Sequence, residues 1–574
     1  MFKLLKYLKM YKKESILGPL LKLLEATLEL LVPLVISAII DYGINGTAGK
    51  PYILRMCLLL VLFGAVGLAF SITAQYFAAK ASVGFVKQVR FVLFQHIQSF
   101  SYTELDTLGT STMITRLTSD MNQVQNGLNL TLRLLLRSPF VVFGSMLMAF
   151  TINTRLALIF AVAIPILAAV IFTIMLICIP MYRKVQIKLD SVLSATRETL
   201  NGVRVIRAFC KESDEIARFQ HRNHQLTRTQ IFTGRISGLL NPLTYVIINL
   251  AIIFLIWNGA IRVDTGIITQ GALIALYNYM AQILTELIKL ANLIINITKS
   301  VACGNRIQAM LETETSQQQG QGDPSEKSAP AVEFENVALC YGNNQEPSIA
   351  HISFQAQQGE TIGIIGGTGS GKTSIINLIP RFYDATEGTV KVLGADVKTY
   401  AFDALRKKIG IVPQHSRLFK GTIRENLLWG NPQATDEELL AAAKTAQALE
   451  IIQQKEGGLD AMIEQNGRNL SGGQRQRLTI ARALVKKPRI LILDDSASAL
   501  DYATDAALRR ALKELTDTTV FIVSQRTASL RHADNILVMD DGQLIAIGNH
   551  ENLLRKSPLY REIYNSQIKE GKEA

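Results

Sequence analysis

Six apolar stretches limit what this 574-residue chain can fold into more than any other feature. They run over 16–40, 52–77, 138–150, 156–181, 243–261 and 267–297, with a tight turn at 151–155 between the third and fourth. A helix needs about 20 mostly apolar residues to cross a bilayer, and its backbone polar groups must be satisfied inside the segment. The 48% hydrophobic content beside 19% charge is the average of such spans with a polar remainder. The charges are unevenly spread. The short connections 41–55, 151–155 and 262–266 hold few basic residues. The stretch 181–240 holds Arg183, Lys184, Lys188, Arg197, Arg204, Arg207, Lys211, Arg218, Arg222, Arg228 and Arg235. Residues 78–137 add Lys80, Lys87, Arg90, Arg116, Arg133 and Arg137. Positive residues gather on the cytoplasmic side of membrane proteins. The expectation is a multi-pass protein of the cell membrane, with the N-terminus, both long loops and everything after the sixth span in the cytoplasm. The formal charge of +13 then follows from topology and calls for no nucleic acid.

The two cytoplasmic loops, about 60 residues each, are too long for structureless connections in a compact protein. Both are poor in Pro and Gly and carry apolar residues at helical spacing, as at Leu189, Val192, Leu193, Thr196 and Leu200. Each is predicted to be two helical extensions joined by a short turn, and about 20 added residues reach roughly 30 Å into the cytosol. Lys22, Glu25 and Glu29 in the first span, with Glu286 and Lys289 in the sixth, put charge at bilayer depth. Two readings stay open: a polar substrate pathway, or internal salt bridges and span ends. The start, MFKLLKYLKMYKKES, is basic and amphipathic. It lacks a long apolar core before a small-residue cleavage site, so it reads as an interfacial helix and not a cleaved leader. Cys57, Cys178, Cys210, Cys303 and Cys340 form no CxxC pair and no zinc-spaced set, and read as isolated reduced thiols. Residues 312–331, ETETSQQQGQGDPSEKSAPA, read by composition as a solvated linker. The predicted organisation is an all-α membrane domain over 1–311, that linker, and a second domain over 332–574 opening with an alternating strand pattern at 332–337.

The second domain carries the chemistry. GGTGSGKT is formed by Gly366, Gly367, Thr368, Gly369, Ser370, Gly371, Lys372 and Thr373. It fits G-x-x-x-x-G-K-[ST], after the apolar run 361–365 and before a helical stretch opening at Ser374, which is the strand–loop–helix context the motif requires. Glycines let backbone N–H groups close around phosphate oxygens, and the helix N-terminus adds partial positive charge. Lys372 is expected to reach the β- and γ-phosphates and Thr373 to ligate Mg²⁺. The run RILILDDS over 489–496 reads as a buried parallel strand ending in acid, with Asp494 as the metal-binding carboxylate. The fold class is thus a six-helix membrane domain fused to an α/β P-loop nucleotide-binding domain. A third motif, LSGGQ, is formed by Leu470, Ser471, Gly472, Gly473 and Gln474.

With that third motif the chain resembles the ATP-binding cassette (ABC) superfamily, in its exporter form with six membrane helices ahead of each cassette. The resemblance covers nearly the whole chain, and the three motifs stand in the family's order. It implies ATP and Mg²⁺ as cofactors. It implies that Tyr341 stacks on adenine and that Gln414 contacts Mg²⁺ and the membrane domain. SALD over 498–501, ending in Asp501, implies the loop that crosses between paired cassettes. ETLNGVRVIRAF over 198–209 resembles the second coupling helix, and its counterpart is expected around 108–117. Two cassettes of this family bind head to tail, each ATP lying between one phosphate loop and the other signature. A second half-transporter is therefore implied as partner, along with the lipid bilayer and a small amphipathic substrate such as a drug or lipid.

Two positions depart from the family pattern. Active members carry Glu after the metal-binding Asp; here Asp495 is one methylene shorter, with about 1.5 Å less reach, and a displacement of ~1 Å can cost on the order of 10²-fold in rate. After the strand 519–523 the family usually has His; here Gln525 can hydrogen-bond but brings no positive charge to the transition state. His532 is too far along to substitute, and His415 reads as an incidental neighbour of Gln414. The expectation is a heterodimer in which this chain's own site turns over weakly. Its intact signature would complete a competent site whose Glu and His come from a partner with an altered signature. The alternatives are a slow homodimeric exporter, or an ATP-gated channel or regulatory module that moves nothing uphill. A soluble cassette of nucleic-acid repair is excluded by the six spans.

Overall fold

The computed structural model describes residues 1–46, 49–324, 326, 328–342, 346–496 and 498–570. Positions 47 and 48 of the first outer connection, 325 and 327 of the expected linker, and 343–345, 497 and 571–574 of the second domain lie outside the described residues. The chain forms two compact units, one of Met1–Gln98 with Ser111–Thr313 and one of Ser99–Thr110 with Glu314–Ala574.

The first unit is all helix. Among the described residues, six helical segments are long and apolar enough to cross a membrane: Lys3–Ile44, Gly49–Gln98, Thr110–Ile152, Thr154–Asn201, Glu212–Asp264 and Gln270–Leu311. Outer connections are short. Asn153 alone separates the third and fourth segments, its side chain capping the fourth by accepting from the Leu156 N–H at 3.1 Å. The second and first segments pack through small residues, with Ala74, Ala78 and Ala81 fully buried and Gly18 facing Ala74 and Ala78. Small side chains let backbones approach where lipid offers no hydrophobic drive. The cytoplasmic continuations are helical as expected, and the second reverses through the short helix Val203–Ala208. The first reverses earlier than expected, through Tyr102–Leu108 and not around 108–117. A capping box at Ser101 and Glu104 starts that helix, and Gly109 at φ +73° ends it.

The charges in the spans pair with one another. Arg137 donates to Glu29 at 2.6 Å and to Glu286 at 2.8 Å, Lys289 joins Glu286 at 2.8 Å, and Lys22 reaches Glu25 at 2.6 Å and Ser71 at 2.9 Å. Of the two open readings, internal salt bridges are what the side chains adopt. Glu29, Arg137 and Glu286 each lie about 15 residues, or roughly 23 Å, from the outer ends of their helices, so the three meet at one depth.

Among the described residues, the second unit has a four-stranded antiparallel sheet, a six-stranded, mainly parallel one and a two-stranded pair. The strands in chain order are β1 (Val332–Leu339), β2 (Ile349–Ala356), β3 (Thr361–Gly366), β4 (Glu387–Val392), β5 (Ala395–Asp396), β6 (Ile409–Val412), β7 (Gly421–Thr422), β8 (Met462–Ile463), β9 (Ile490–Asp494), β10 (Thr519–Val523), β11 (Asn535–Asp540) and β12 (Gln543–Gly548). The four-stranded sheet has the order β2-β1-β4-β5, the large one β12-β11-β3-β10-β9-β6, and the pair is β7-β8. β9 and β10 are buried along their whole lengths, which is why they read as continuous apolar runs and not as alternation. One core fills the space between the sheets around Ile362, Ile364, Phe334 and Phe521; another packs the helices against the opposite face around Leu491, Leu493 and Ile480. The stretch expected to be a solvated linker instead lies on this unit. Gln317 is buried, the Gly320 N–H donates to the Tyr400 carbonyl at 3.1 Å, and Asp323 pairs with Lys408 at 2.7 Å. Gln, Gly and Ser satisfy a protein surface as readily as water, so composition did not separate the two.

Arg137→Met is expected to lower stability by about 3 kcal/mol, because Glu286 is 1% exposed and loses its main partner. Thermal unfolding of the detergent-solubilised protein should then recover when Glu286 and Glu29 are replaced by Leu together with Arg137→Met.

Candidate functional site

Pairing order in the large sheet builds the site. β6, β9, β10 and β3 run parallel side by side, so the loops after their carboxyl ends open on the same edge, where open α/β sheets bind ligands. Those ends carry Gln414, Asp494 with Asp495, Ser524 with Gln525, and the loop from Gly366. A cavity of about 130 Å³ is lined by Thr368, Gly369, Lys372, Thr373, Gln414, Asp494, Asp495, Val523, Ser524 and Gln525.

Local geometry follows from residue type. Gly371, at φ +89°, precedes the helix Lys372–Leu378; a Cβ there would lie 2.4 Å from the Ile349 side chain and 2.9 Å from the Ser348 carbonyl. Only glycine meets both the turn and the close approach. Lys372 Nζ donates to the carbonyls of Gly366 at 3.0 Å and Gly367 at 2.5 Å. Burial holds its ammonium below the usual lysine range, against the pull of Asp495 and Asp494. Thr373 Oγ1 faces both oxygens of Asp494 at 3.4 and 3.5 Å. Asp494 is 6% exposed, and burial, with the charge of Asp495 added, pushes its carboxyl from 3.8 up to about 6, against the Thr373 hydroxyl and the Lys372 charge. Asp495 has a left-handed backbone, φ +45°, fixed by its N–H donating to the Val523 carbonyl at 3.0 Å and by Ser498 bonding back to its own carbonyl. Asp tolerates that conformation better than most residues.

Other anticipated residues lie elsewhere. Tyr341 donates to Ser374 Oγ at 3.1 Å and meets the Tyr383 ring edge-on at 4.9 Å, beside a separate cavity of about 330 Å³. Asp501 caps the helix Tyr502–Lys513, accepting from the N–H of Thr504 at 2.8 Å and its hydroxyl at 2.9 Å. His532 is exposed near the starting ends of β3 and β10, away from the phosphate loop. Ser471 caps the helix Gly472–Val485 through a capping box with Gln474, leaving Ser471 and Gly472 exposed. Leu470, Ser471, Gly472, Gly473 and Gln474 are all absent from the lining of the phosphate-loop cavity.

Oxygen donors from Thr373, Asp494 and Gln414 around a small cavity suit a hard cation such as Mg²⁺. Among the described residues no three His, Cys, Asp or Glu side chains converge to hold a metal by themselves. That fits a cation held by one carboxylate and neutral protein oxygens together with phosphate.

A model of the ABC transporter transmembrane region matches residues 15–287, and an ABC transporter model matches 349–498. The ABC transporter ATP-binding protein YfiB of Bacillus subtilis is 37% identical over 578 residues, covering 100% of both chains. The chain belongs to the ABC transporters. An ATP-dependent lipid A-core flippase of Desulfotalea psychrophila is 32% identical over 487 residues, 84% of each chain. A bacterial Atm1-family ABC exporter, solved with ATP bound, shares the fold at TM-score 0.81 and 24% identity, covering 97% of this chain and 98% of that one. This ABC transporter is a multi-pass membrane protein whose cytoplasmic cassette couples ATP hydrolysis to transport.

Within the cassette unit of this transporter the first reversal, 99–110, is held by contacts that sequence reasoning missed. Tyr102 stacks on Phe382 at 4.4 Å, Tyr383 donates to Asp106 at 2.5 Å, and the Ser316 N–H donates to Glu104 at 3.1 Å. The capping signature S-x-x-E at 101–104 was the available signal for the helix, though not for its docking. Ser416 also bonds Gln476 of the signature helix, joining the loop after β6 to that helix.

Asp494→Asn should stabilise the nucleotide-free protein by about 2–3 kcal/mol at pH 7. A carboxyl raised from 3.8 to about 6 binds more protons folded than unfolded in that window, so its ionisation costs stability as pH rises through it. The gain should shrink as pH falls from about 6 toward 3.8, read from melting midpoints across that range.

Proposed function

We propose that this chain is a half-transporter that exports amphipathic, lipid-like molecules, with two half-transporters clamping Mg-ATP between them. The observation carrying this reading is the incompleteness of a single chain's site. The cavity gathers Thr368, Gly369, Lys372 and Thr373, both acids, Gln414 and Gln525, while Ser471 and Gly472 stand exposed elsewhere at the start of their helix. Helix N-termini of this kind suit phosphate, so a second chain's signature is the natural lid. Phe91, Phe94, Ile187, Leu200 and Phe209 are also exposed on the cytoplasmic continuations. Ile187 lies about 33 residues, or roughly 50 Å, along its helix from the outer end, well beyond about 30 Å of hydrocarbon. Apolar side chains at that depth are expected to be covered by protein.

In the mechanism this supports, Lys372 and the loop N–H groups hold the phosphates, and Thr373, Asp494 and Gln414 hold Mg²⁺. Asp495 orients the attacking water and Gln525 faces the terminal phosphate. ATP favours the closed pair because only that state offers both half-sites. The segments 99–110 and Val203–Ala208 carry the closure toward the membrane helices. The relatives named as lipid A-core flippases support a lipid-like cargo. Those names describe ATP-dependent flippases, which favours the alternative of a half-transporter that turns over ATP itself over a subunit that depends on an unlike partner.

A second reading is kept by Asp495 and Gln525: a heterodimer in which this site turns over slowly and the partner supplies the competent one. The chain purified alone into vesicles separates the two. ATP turnover with lipid movement is expected of a working homodimer, and near-silence of a half that needs an unlike partner. Asp495→Glu with Gln525→His should raise turnover about tenfold or more if those two residues limit the rate.

A further inference from the structure

Gln567 has no part in the scheme above, yet its amide makes three hydrogen bonds to the loop after β10. Its Oε1 accepts from the backbone N–H and the hydroxyl of Thr527, both at 2.8 Å, and its Nε2 donates to the Gln525 carbonyl at 2.7 Å. One planar group thus grips the chain on both sides of Arg526. Thr527 opens the short helix Thr527–Leu530, whose N-cap residue Arg526 makes no side-chain cap bond. The first N–H groups of a helix need acceptors from outside it. Thr527 is 4% exposed, so water is a poor source. Gln567 provides the missing cap from a helix 40 residues further on.

That arm is firmly held. Gln567 stands on the helix Pro558–Glu570, where Tyr560 is fully buried and bonds His550 at 2.8 Å. Arg561 donates to the carbonyls of Leu554 at 2.9 Å and Arg555 at 2.8 Å, tying this helix to the preceding one, His550–Lys556. On the loop's other flank, Arg526 lies over the Tyr502 ring at 5.2 Å, next to Asp501. We infer that Gln567 is a positioning residue for ATP turnover: it fixes the peptide from which Gln525 enters the phosphate-loop cavity, and so makes the C-terminal helix part of the hydrolytic apparatus. This rests on the reading of Gln525 given above. A loosened peptide lets the side chain wander by an ångström or so, enough to slow a positioned step by about tenfold.

The test uses the assembled full-length transporter. In Gln567→Ala, amide exchange of the 524–527 segment without nucleotide should speed up about tenfold or more. Steady-state kcat with Mg-ATP should fall about tenfold while KM stays within about twofold. In a Gln525→Ala background the same change should lower kcat by less than about twofold, since the two act as one unit. Gln567→Glu, which keeps the acceptor contacts to Thr527, should lie between, and it carries the same comparison if the Ala variant does not assemble. Unchanged exchange, unchanged kcat, or an equal fall in both backgrounds overturns the inference and leaves the reading of Gln525 standing. An unchanged kcat in Gln525→Ala sinks that reading and the inference with it.

Discussion

Parallel pairing of β3 with β10, β10 with β9 and β9 with β6 sets everything else in the cassette. These strands come from positions 361 to 523, yet their carboxyl ends stand in one row. A loop that binds phosphate, two carboxylates and two glutamine-bearing loops therefore share a cavity without any of them being near in sequence, apart from Asp494 and Asp495 themselves. Burial along the whole of β9 is what strains Asp494. The buried run that secures the strand takes its terminal carboxylate out of water and pushes its proton affinity up. A cation beside this carboxylate would offset that cost, because an opposite charge favours the ionised form.

Specific side-chain contacts tie the loops around this row to neighbouring elements. The loop after β6 leans on the signature helix through Ser416 and Gln476, and the loop after β10 is gripped by Gln567 and flanked by Tyr502. The reversal 99–110 rests on Phe382 and Tyr383, two residues that follow the phosphate-loop helix. In the membrane domain, small-residue packing of the first two segments and the ion pairs of Arg137 with Glu29 and Glu286 hold helices together.

Much of this was legible beforehand, and the reasons differ by element. Membrane helices announce themselves because lipid forbids any other backbone solution, so length and hydropathy suffice. The phosphate loop was legible because its glycines answer a local need: Gly371 must take φ +89° against Ile349. The first reversal was misplaced by a few residues because an amphipathic stretch near 108–117 looks as helical as its neighbours, and the capping box at Ser101 and Glu104 was the stronger signal. The linker was misread because composition reports solubility and not what a segment lies against.

The sequence by itself determined the membrane topology, the class of the second domain and the strand–loop–helix setting of residues 366–373, since each depends on contacts within a few residues or on contact with solvent and lipid. Only the tertiary structure decided that Arg137 neutralises Glu29 and Glu286, that residues 470–474 lie apart from the loop 366–373 of the same chain, and that Gln567 holds Gln525. Those facts join residues tens to hundreds of positions apart. Nothing local distinguishes a glutamine that clamps a loop from one that faces water until the fold brings the loop to it.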